Sequence, residues 1–228
     1  MDLRTRILEA AADLLSRSSE ADFSTRAVCE AAGVGAPALY RQFGDKQGLL
    51  SAVVDLGFEK YLAGKRAAKA SDDPVEDLRS GWDNHVAFAV DNPNYYRLMY
   101  SGLATPPKAA AEAHELLLGV LERCAAAGRL KISPETAGKM VMSANAGVAL
   151  SLITRPAIYT DLEFSTRVRE SVLAAILADA DTPPAEDDAV AVTATTLAAQ
   201  LRKTSPEELT DAEGALLQEW LDRLSARR

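Results

Sequence analysis

The residues best placed for chemistry lie between positions 24 and 46, where glycine, proline and polar side chains punctuate two short apolar segments. Ser24 or Thr25 can cap a first helix, which Gly33 should end in a left-handed conformation. Gly35-Ala36-Pro37 should start a second helix that ends at Gly44. This spacing predicts a helix-turn-helix, whose second helix is slim enough to enter a major groove about 12 Å wide. The chemistry would be noncovalent contact with phosphates and base edges.

Covalent and metal chemistry find no support in the sequence. The chain has two cysteines, Cys29 and Cys124, and two histidines, His85 and His114, none at metal-ligand spacing. It has no nucleophile motif, and Gly33-Val34-Gly35 is too short for a phosphate-binding loop. We therefore expect no enzyme, no metal and no cofactor, and we expect Cys29 to be a small buried apolar residue.

Residues 24–50, STRAVCEAAGVGAPALYRQFGDKQGLL, resemble the DNA-binding domain of TetR/AcrR-type transcriptional repressors. The Gly33-Val34 turn, Leu39-Tyr40, Phe43 and Lys46 all fall at the offsets of that family. The resemblance extends over about residues 3–62. It implies an all-α fold: a DNA-binding domain followed by a helical bundle for ligand binding and dimerisation.

The resemblance also implies individual roles. Thr25 and Arg26 match the start of the first motif helix, which contacts the DNA backbone. Gly35, Ala36 and Pro37 match the tip of the recognition helix, where the backbone and small side chains approach the bases. Tyr40 matches a tyrosine that packs against phosphate, and Lys46 matches a lysine that meets phosphate with help from the helix dipole.

Two features depart from the family pattern. Gln42 replaces the usual histidine, and only Arg41 and Gln42 on the recognition helix offer donors suited to base edges. Specificity is therefore expected to depend partly on DNA shape. The N-terminal arm is short, and only Arg4 and Arg6 could serve as its basic residues.

The composition and pattern of the whole chain agree with an all-α protein. It is 48% hydrophobic and 6% aromatic, with recurrent alanine runs. We predict an N-terminal three-helix helix-turn-helix domain at 1–47, a C-terminal helical bundle for ligand binding and dimerisation at 48–182, and a helical extension at 183–228. The motif should be braced by a small core of Ala27, Val28, Ala31, Val34, Leu39 and Phe43.

The charge is unevenly distributed along the chain. The net charge of −8 argues against nucleic acid, but residues 1–70 hold ten Lys/Arg against nine Asp/Glu, so the acid lies later. A helical protein-interaction adaptor that has lost operator binding therefore stays open as the alternative function. No apolar run is long enough to span a bilayer and no signal-peptide core opens the sequence, so we expect a cytoplasmic protein without a membrane partner.

Effector and dimer contacts are predicted for the later helices. Polar and large side chains in apolar surroundings are candidates for lining an effector pocket, although most could simply be core: Trp82, His85, Phe88, Tyr96, Met99, Tyr100, Met142 and Asn145. Asn145 needs a partner, which could be a ligand, another helix or a water molecule. Helices at about 134–154 and 163–180 are rich in small residues and favour a homodimer, with intrachain packing as the alternative. The expected function is a ligand-responsive regulator, a repressor that binds a palindromic double-stranded operator and is released by a small apolar effector.

Overall fold

The computed structural model describes residues 2–17, 23–67, 70–100, 108–178, 186–204 and 209–226. These residues form eleven α-helices, with one isolated β-bridge and no strand, so the all-α prediction is confirmed. The helices are α1 (Leu3–Arg17), α2 (Thr25–Ala32), α3 (Ala36–Phe43), α4 (Lys46–Ala67), α5 (Pro74–Asp91), α6 (Pro93–Met99), α7 (Lys108–Ala126), α8 (Pro134–Thr154), α9 (Glu163–Ile176), α10 (Glu186–Lys203) and α11 (Asp211–Ser225).

Local signals fix the turn between α2 and α3. The Ser24 hydroxyl accepts a hydrogen bond from the backbone N–H of Ala27 at 3.1 Å, which caps the start of α2. Gly33 ends α2 with φ of 63°, and the N–H of Val34 donates back to the carbonyl of Cys29 at 2.9 Å. This backbone bond closes the Schellman-type turn predicted from the glycine.

The core under the motif differs in part from the predicted one. Val28, Leu39 and Phe43 are buried, whereas Ala27 and Val34 are half-buried. The prediction that Ala31 lies inside was wrong, because the buried face of α2 runs through Val28, Cys29 and Ala32 and leaves Ala31 exposed. The inner side of α1 is fully buried: Ile7, Ala11 and Leu15. Cys29 is a small buried residue, as expected.

The chain divides into two compact units. The first comprises Met1–Lys69, Ala87–Ala113 and Leu150–Pro156, and the second comprises Ala70–Val86, His114–Ala149 and Ala157–Arg228. The predicted boundary between 47 and 48 falls inside the first turn of α4. The three-domain division stays a prediction.

In the first unit, α6 packs against α1 and α4. A Cβ added at Gly57 of α4 would lie 2.7 Å from Cδ1 of Tyr95, so the absence of a side chain permits this close approach. The amide of Asn94 donates to the carbonyl of Leu15 at 3.0 Å, and the Arg97 guanidinium donates to the carbonyl of Ile153. Polar contacts of α6 thus reach the ends of α1 and α8.

In the second unit, Gly138 lets α8 approach α7. A Cβ at Gly138 would lie 3.2 Å from Cδ2 of Leu118. The expectation that α9 continues to about residue 180 was wrong, because the backbone leaves the helix at Leu177 and forms an antiparallel bridge with Leu130. The carboxylate of Asp77 pairs with Arg123 at 2.5 Å.

The extension forms a helical pair within the second unit. The spacing of Thr210 and Glu213 is that of a capping box, and the box is present, with the N–H of Glu213 donating to the Thr210 hydroxyl at 3.4 Å. Ala194, Ala198 and Leu221 form its buried cluster, flanked by partly buried Leu201, Leu217 and Leu224. Leu216 and Trp220 remain 44% and 52% exposed, so only part of the apolar side of α11 is buried in the single chain.

Some predictions fall on residues outside the described ranges. These are a helix start that the sequence indicates at Thr105-Pro106-Pro107 and the first half, 183–185, of a linker expected at 183–188, whose second half belongs to α10. Among the helices that are described, none is long and apolar enough to cross a membrane. The described part of the chain also contains no group of three or more His, Cys, Asp or Glu side chains that could hold a metal ion.

Candidate nucleic-acid interface

The outer face of α3 is exposed while its inner face is buried. Leu39 and Phe43 point into the core, with 0% and 8% of their surface exposed. Four of the residues predicted to meet DNA are exposed on the opposite side or at the tip: Ala36, Pro37, Tyr40 and Arg41. Gly35, also exposed, precedes the helix as its N-cap with extended φ and ψ of −82° and 152°. An exposed helix on an apolar base is the arrangement that groove insertion requires.

The structure brings the start of α2 and the middle of α3 together. The Thr25 hydroxyl lies 3.4 Å from the Tyr40 hydroxyl, within hydrogen-bond distance. Tyr40 is 44% exposed, so part of its surface remains accessible to a ligand. Two side chains assigned to phosphate by resemblance therefore lie at one place on the surface.

Arg26 is held by a partner that the sequence interpretation overlooked. Its Nε lies 2.9 Å from Oε1 of Glu30, one helical turn later on α2, and both side chains are largely exposed. The hydrogen bond and charge of Glu30 raise the pKa of Arg26. The i, i+4 spacing of an arginine and a glutamate was the available signal. DNA phosphate would have to compete with this carboxylate for the guanidinium.

Lys46 begins α4 directly after the motif. Asp45 caps that helix, because its Oδ1 accepts a hydrogen bond from the N–H of Gly48 at 2.8 Å. The Lys46 ammonium is exposed and lies 5.8 Å from the centre of the Phe23 ring, near the outer limit of a cation–π contact. An exposed cation at a helix start can reach a phosphate while the free N–H groups of the first turn face the same anion.

A shallow groove runs along the joint between α2 and α3. Three residues predicted to contact DNA line it, Thr25, Arg26 and Ala36, together with Cys29, Glu30, Gly33 and Val34. Lys46, Tyr40 and Arg41 are not part of this groove lining.

The eight predicted effector residues divide equally between the two units. In the first unit, the rings of Tyr96 and Tyr100 lie 5.1 Å apart, and Phe88 lies 4.7 Å from Tyr61. Burial is the main cause that raises the pKa values of Tyr61 and Tyr96. Tyr96 is fully buried, Phe88 and Met99 are half-buried, and Tyr100 is exposed. Tyr61 was not among the predicted effector residues, although its ring lies against that of Phe88.

In the second unit, Trp82, His85 and Asn145 are buried polar residues, and Met142 is half-buried. The indole Nε1 of Trp82 donates to the hydroxyl of Ser165 at 3.0 Å. Nδ2 of Asn145 donates to the carbonyl of Trp82 at 3.4 Å, whereas its Oδ1 has no hydrogen-bond partner among the described residues. A hydrogen bond to α5 thus uses the amide nitrogen of Asn145, whereas its buried amide oxygen is left without a donor among the described residues.

The candidate dimer helices use many of their small and apolar residues inside the chain. Ala137, Ala149, Leu173 and Ile176 are buried in the single chain. What remains is a shallow groove between α8 and α9, lined by Met140, Phe164, Arg167, Val168, Ser171, Val172 and Ala175. In the α8–α9 connection, Ile158 and Leu162 are 70% and 60% exposed.

The N-terminal part of the chain matches a known protein family. Residues 7–53 match the model of the family described as bacterial regulatory proteins, tetR family. The matched segment contains α2, α3 and the first turns of α4, so the resemblance stated from the motif residues is confirmed. No curated protein sequence matches the chain.

Several solved structures share the fold. A TetR-family transcriptional regulator from Agrobacterium tumefaciens is 22% identical, with a TM-score of 0.57 over 77% of this chain and 98% of that chain. NalD of Pseudomonas aeruginosa, the secondary repressor of the MexAB-OprM multidrug efflux pump, is 17% identical, with a TM-score of 0.56 over 78% and 97%. A TetR variant from Acinetobacter baumannii AYE in complex with minocycline is 22% identical, with a TM-score of 0.57 over 77% and 96%. At these identities the likeness shows the fold.

Proposed function

We propose that this chain, whose residues 7–53 match the tetR family and whose fold is that of TetR-family regulators, is a repressor released by a small molecule. It would bind a palindromic operator duplex as a homodimer. The observation that carries the proposal is α3, whose small and polar outer face is exposed while Leu39 and Phe43 anchor it from within. A helix supported in this way can enter a major groove without losing its own packing.

Cations available on the motif explain how an acidic chain can hold DNA. Arg41 and Lys46 are exposed and make no ion pair within the described residues. Thr25 and Tyr40 add hydroxyl donors beside them. Phosphate contacts of this kind release counterions, so binding should weaken steeply as salt concentration rises.

A two-fold dimer would present two copies of α3 to successive major grooves. The groove between α8 and α9 supports this assembly, because Met140, Phe164, Val168 and Val172 leave apolar surface on adjacent helices. Packing of the same groove from a second chain would bury that surface in a four-helix contact. Ala137 and Ala149 cannot contribute to such a contact, because they are already buried within the single chain.

Release by an effector requires a ligand that prefers the conformation unable to bind DNA. The buried, unpartnered Oδ1 of Asn145, with Trp82 nearby in the same unit, supports a small, largely apolar ligand that carries a hydrogen-bond donor. Two proteins of similar fold support the two parts of this proposal separately: NalD is a repressor, and the TetR variant is in complex with the small molecule minocycline. By linkage, the effector must weaken DNA binding as much as DNA weakens effector binding.

Selection of duplexes from a random-sequence library tests the proposal. We expect the chain to enrich a palindromic duplex, and we expect Lys46→Ala to reduce the slope of log affinity against log salt by about 0.9 per phosphate lost. Tyr40→Ala should weaken capture as well. Lys203→Ala removes the same charge from the end of α10 and should leave binding unchanged. The adaptor alternative would be supported if no duplex were enriched.

A further inference from the structure

Arg4 contacts the end of the recognition helix. From the first turn of α1, its Nη1 donates to the backbone carbonyl of Gln42 at 2.8 Å, across 38 residues of sequence. Its guanidinium carbon also lies 4.5 Å above the centre of the Phe43 ring. The Arg4 side chain therefore contacts both the backbone of α3 and Phe43, the last buried apolar residue of that helix.

The carbonyl that Arg4 binds is one that a helix leaves without a partner. The last carbonyls of an α-helix lack intrahelical donors and carry the negative end of the helix dipole. In α3, the Tyr40 carbonyl accepts from Gly44 at 2.8 Å and the Phe43 carbonyl accepts from Asp45 at 3.0 Å. Arg4 supplies the donor for Gln42 between them, and its charge complements the dipole.

The contact with Phe43 gives Arg4 a second point of attachment at the end of α3. Phe43 is only 8% exposed, so its ring is fixed in the core under α3. A guanidinium stacked on a fixed ring, with one donor on the neighbouring carbonyl, fixes the end of α3 relative to α1 by two separate contacts. Neither contact depends on DNA.

We infer that Arg4 is a positioning residue for the recognition helix rather than a basic residue of an N-terminal arm. The inference rests on the proposed DNA-binding function. The base-facing residues of α3 and the phosphate-facing residues of α2 and α4 must meet one duplex together. Loosening the end of α3 should therefore harm recognition of a preferred sequence more than general attraction to DNA.

The two roles for Arg4 give different measurements. A phosphate contact contributes to every sequence and to the salt dependence, whereas a positioning contact contributes to the preferred sequence alone. We expect Arg4→Ala to weaken binding of the selected duplex about fivefold, with a scrambled duplex of the same length bound as before and the salt slope unchanged. Circular dichroism would confirm that the variant is folded under these conditions.

Amide hydrogen exchange tests, in the absence of DNA, whether Arg4 stabilises the end of α3. Exchange of the α3 and α3–α4 amides, Leu39 to Asp45, should accelerate in Arg4→Ala. Arg6→Ala is the matched control, because Arg6 lies on the same helix, is exposed and has no ion pair within the described residues. It should leave those amides unchanged.

The outcomes separate the two proposals. Equal weakening of selected and scrambled duplexes by Arg4→Ala, with a salt slope smaller by about 0.9, would make Arg4 a phosphate contact and overturn the inference. Unchanged α3 exchange in Arg4→Ala would overturn it too. If the unaltered chain enriched no duplex, the proposed function would fail, while the exchange experiment would still decide whether Arg4 holds α3.

Discussion

The close approach of α6 to α4 predicts that replacing Gly57 by alanine destabilises the chain, and that a second substitution reverses the sign of this change in stability. Gly57 lies inside α4, where alanine would ordinarily stabilise a helix by about 1 kcal/mol. Its added Cβ would lie 2.7 Å and 3.0 Å from Cδ1 and Cε1 of Tyr95, which is too close for carbon atoms. Overpacking of this kind costs about 1–3 kcal/mol, so we expect Gly57→Ala to destabilise the chain by about 1 kcal/mol net.

Removing the obstructing ring should reverse that effect. In a Tyr95→Ala background the Cβ at position 57 has room, and the helix propensity gain of about 1 kcal/mol should then appear. Gly81→Ala in α5 is the control without an obstacle, because nothing lies within 4 Å of its added Cβ. It should stabilise the chain in either background.

Thermal melts followed by circular dichroism at one fixed protein concentration would measure these changes. For a chain of this size, about 1 kcal/mol corresponds to roughly 2–4 °C in Tm. Gly57→Ala should therefore lower Tm in the natural background and raise it when Tyr95 is absent. Equal shifts in the two backgrounds would refute the argument that Tyr95 is what the new methyl group meets.

Three further predictions concern packing, charge and backbone conformation. Leu221→Ala should cost about 2–4 kcal/mol in chemical denaturation because Leu221 is buried, whereas Leu216→Ala, at an exposed position, should change stability by less than about 0.5 kcal/mol; equal effects would contradict the packing of α11. Partial burial opposes ionisation of Asp77, but hydrogen bonds from Arg123 and from residue 71 outweigh it and lower its pKa. The ionised carboxylate therefore stabilises the fold above about pH 4, and this stabilisation is lost as the pH falls through the lowered pKa. We expect Asp77→Asn to destabilise the chain by about 1 kcal/mol at pH 7 and progressively less below pH 4. A loss of stability independent of pH would contradict this. Gly33→Ala forces a Cβ into a conformation with φ of 63° and should cost about 1 kcal/mol in the same measurement, and no loss would show that the turn adopts another conformation.

Local sequence signals predicted the helix-turn-helix well. The cap at Ser24, the left-handed Gly33 and the proline near the start of α3 each act within one turn of helix. Such signals depend only on neighbours a few residues away, so they can be interpreted from the sequence before the fold is known. The capping box at Thr210 was predictable for the same reason.

The predicted core and helix ends were less accurate where distant residues decide. Alanine patterning could not distinguish Ala31, which is exposed, from Ala32, which is buried, because both are small and adjacent on α2. The early end of α9 depends on Leu130, whose backbone pairs with Leu177 from 47 positions away. The types of the residues concerned therefore predict neither the burial of Ala32 nor the end of α9.

The amino-acid sequence by itself determined the all-α class, the helix-turn-helix and the tetR-family resemblance, because periodicity, caps and glycines are local or fixed in spacing. Only the tertiary structure decided that Arg4 contacts the end of α3 and that the predicted effector residues divide between two units. Long flexible side chains such as arginine reach several partners with similar energies. Which partner each one takes is set by how the helices pack, and that packing arises from contacts far apart in the chain.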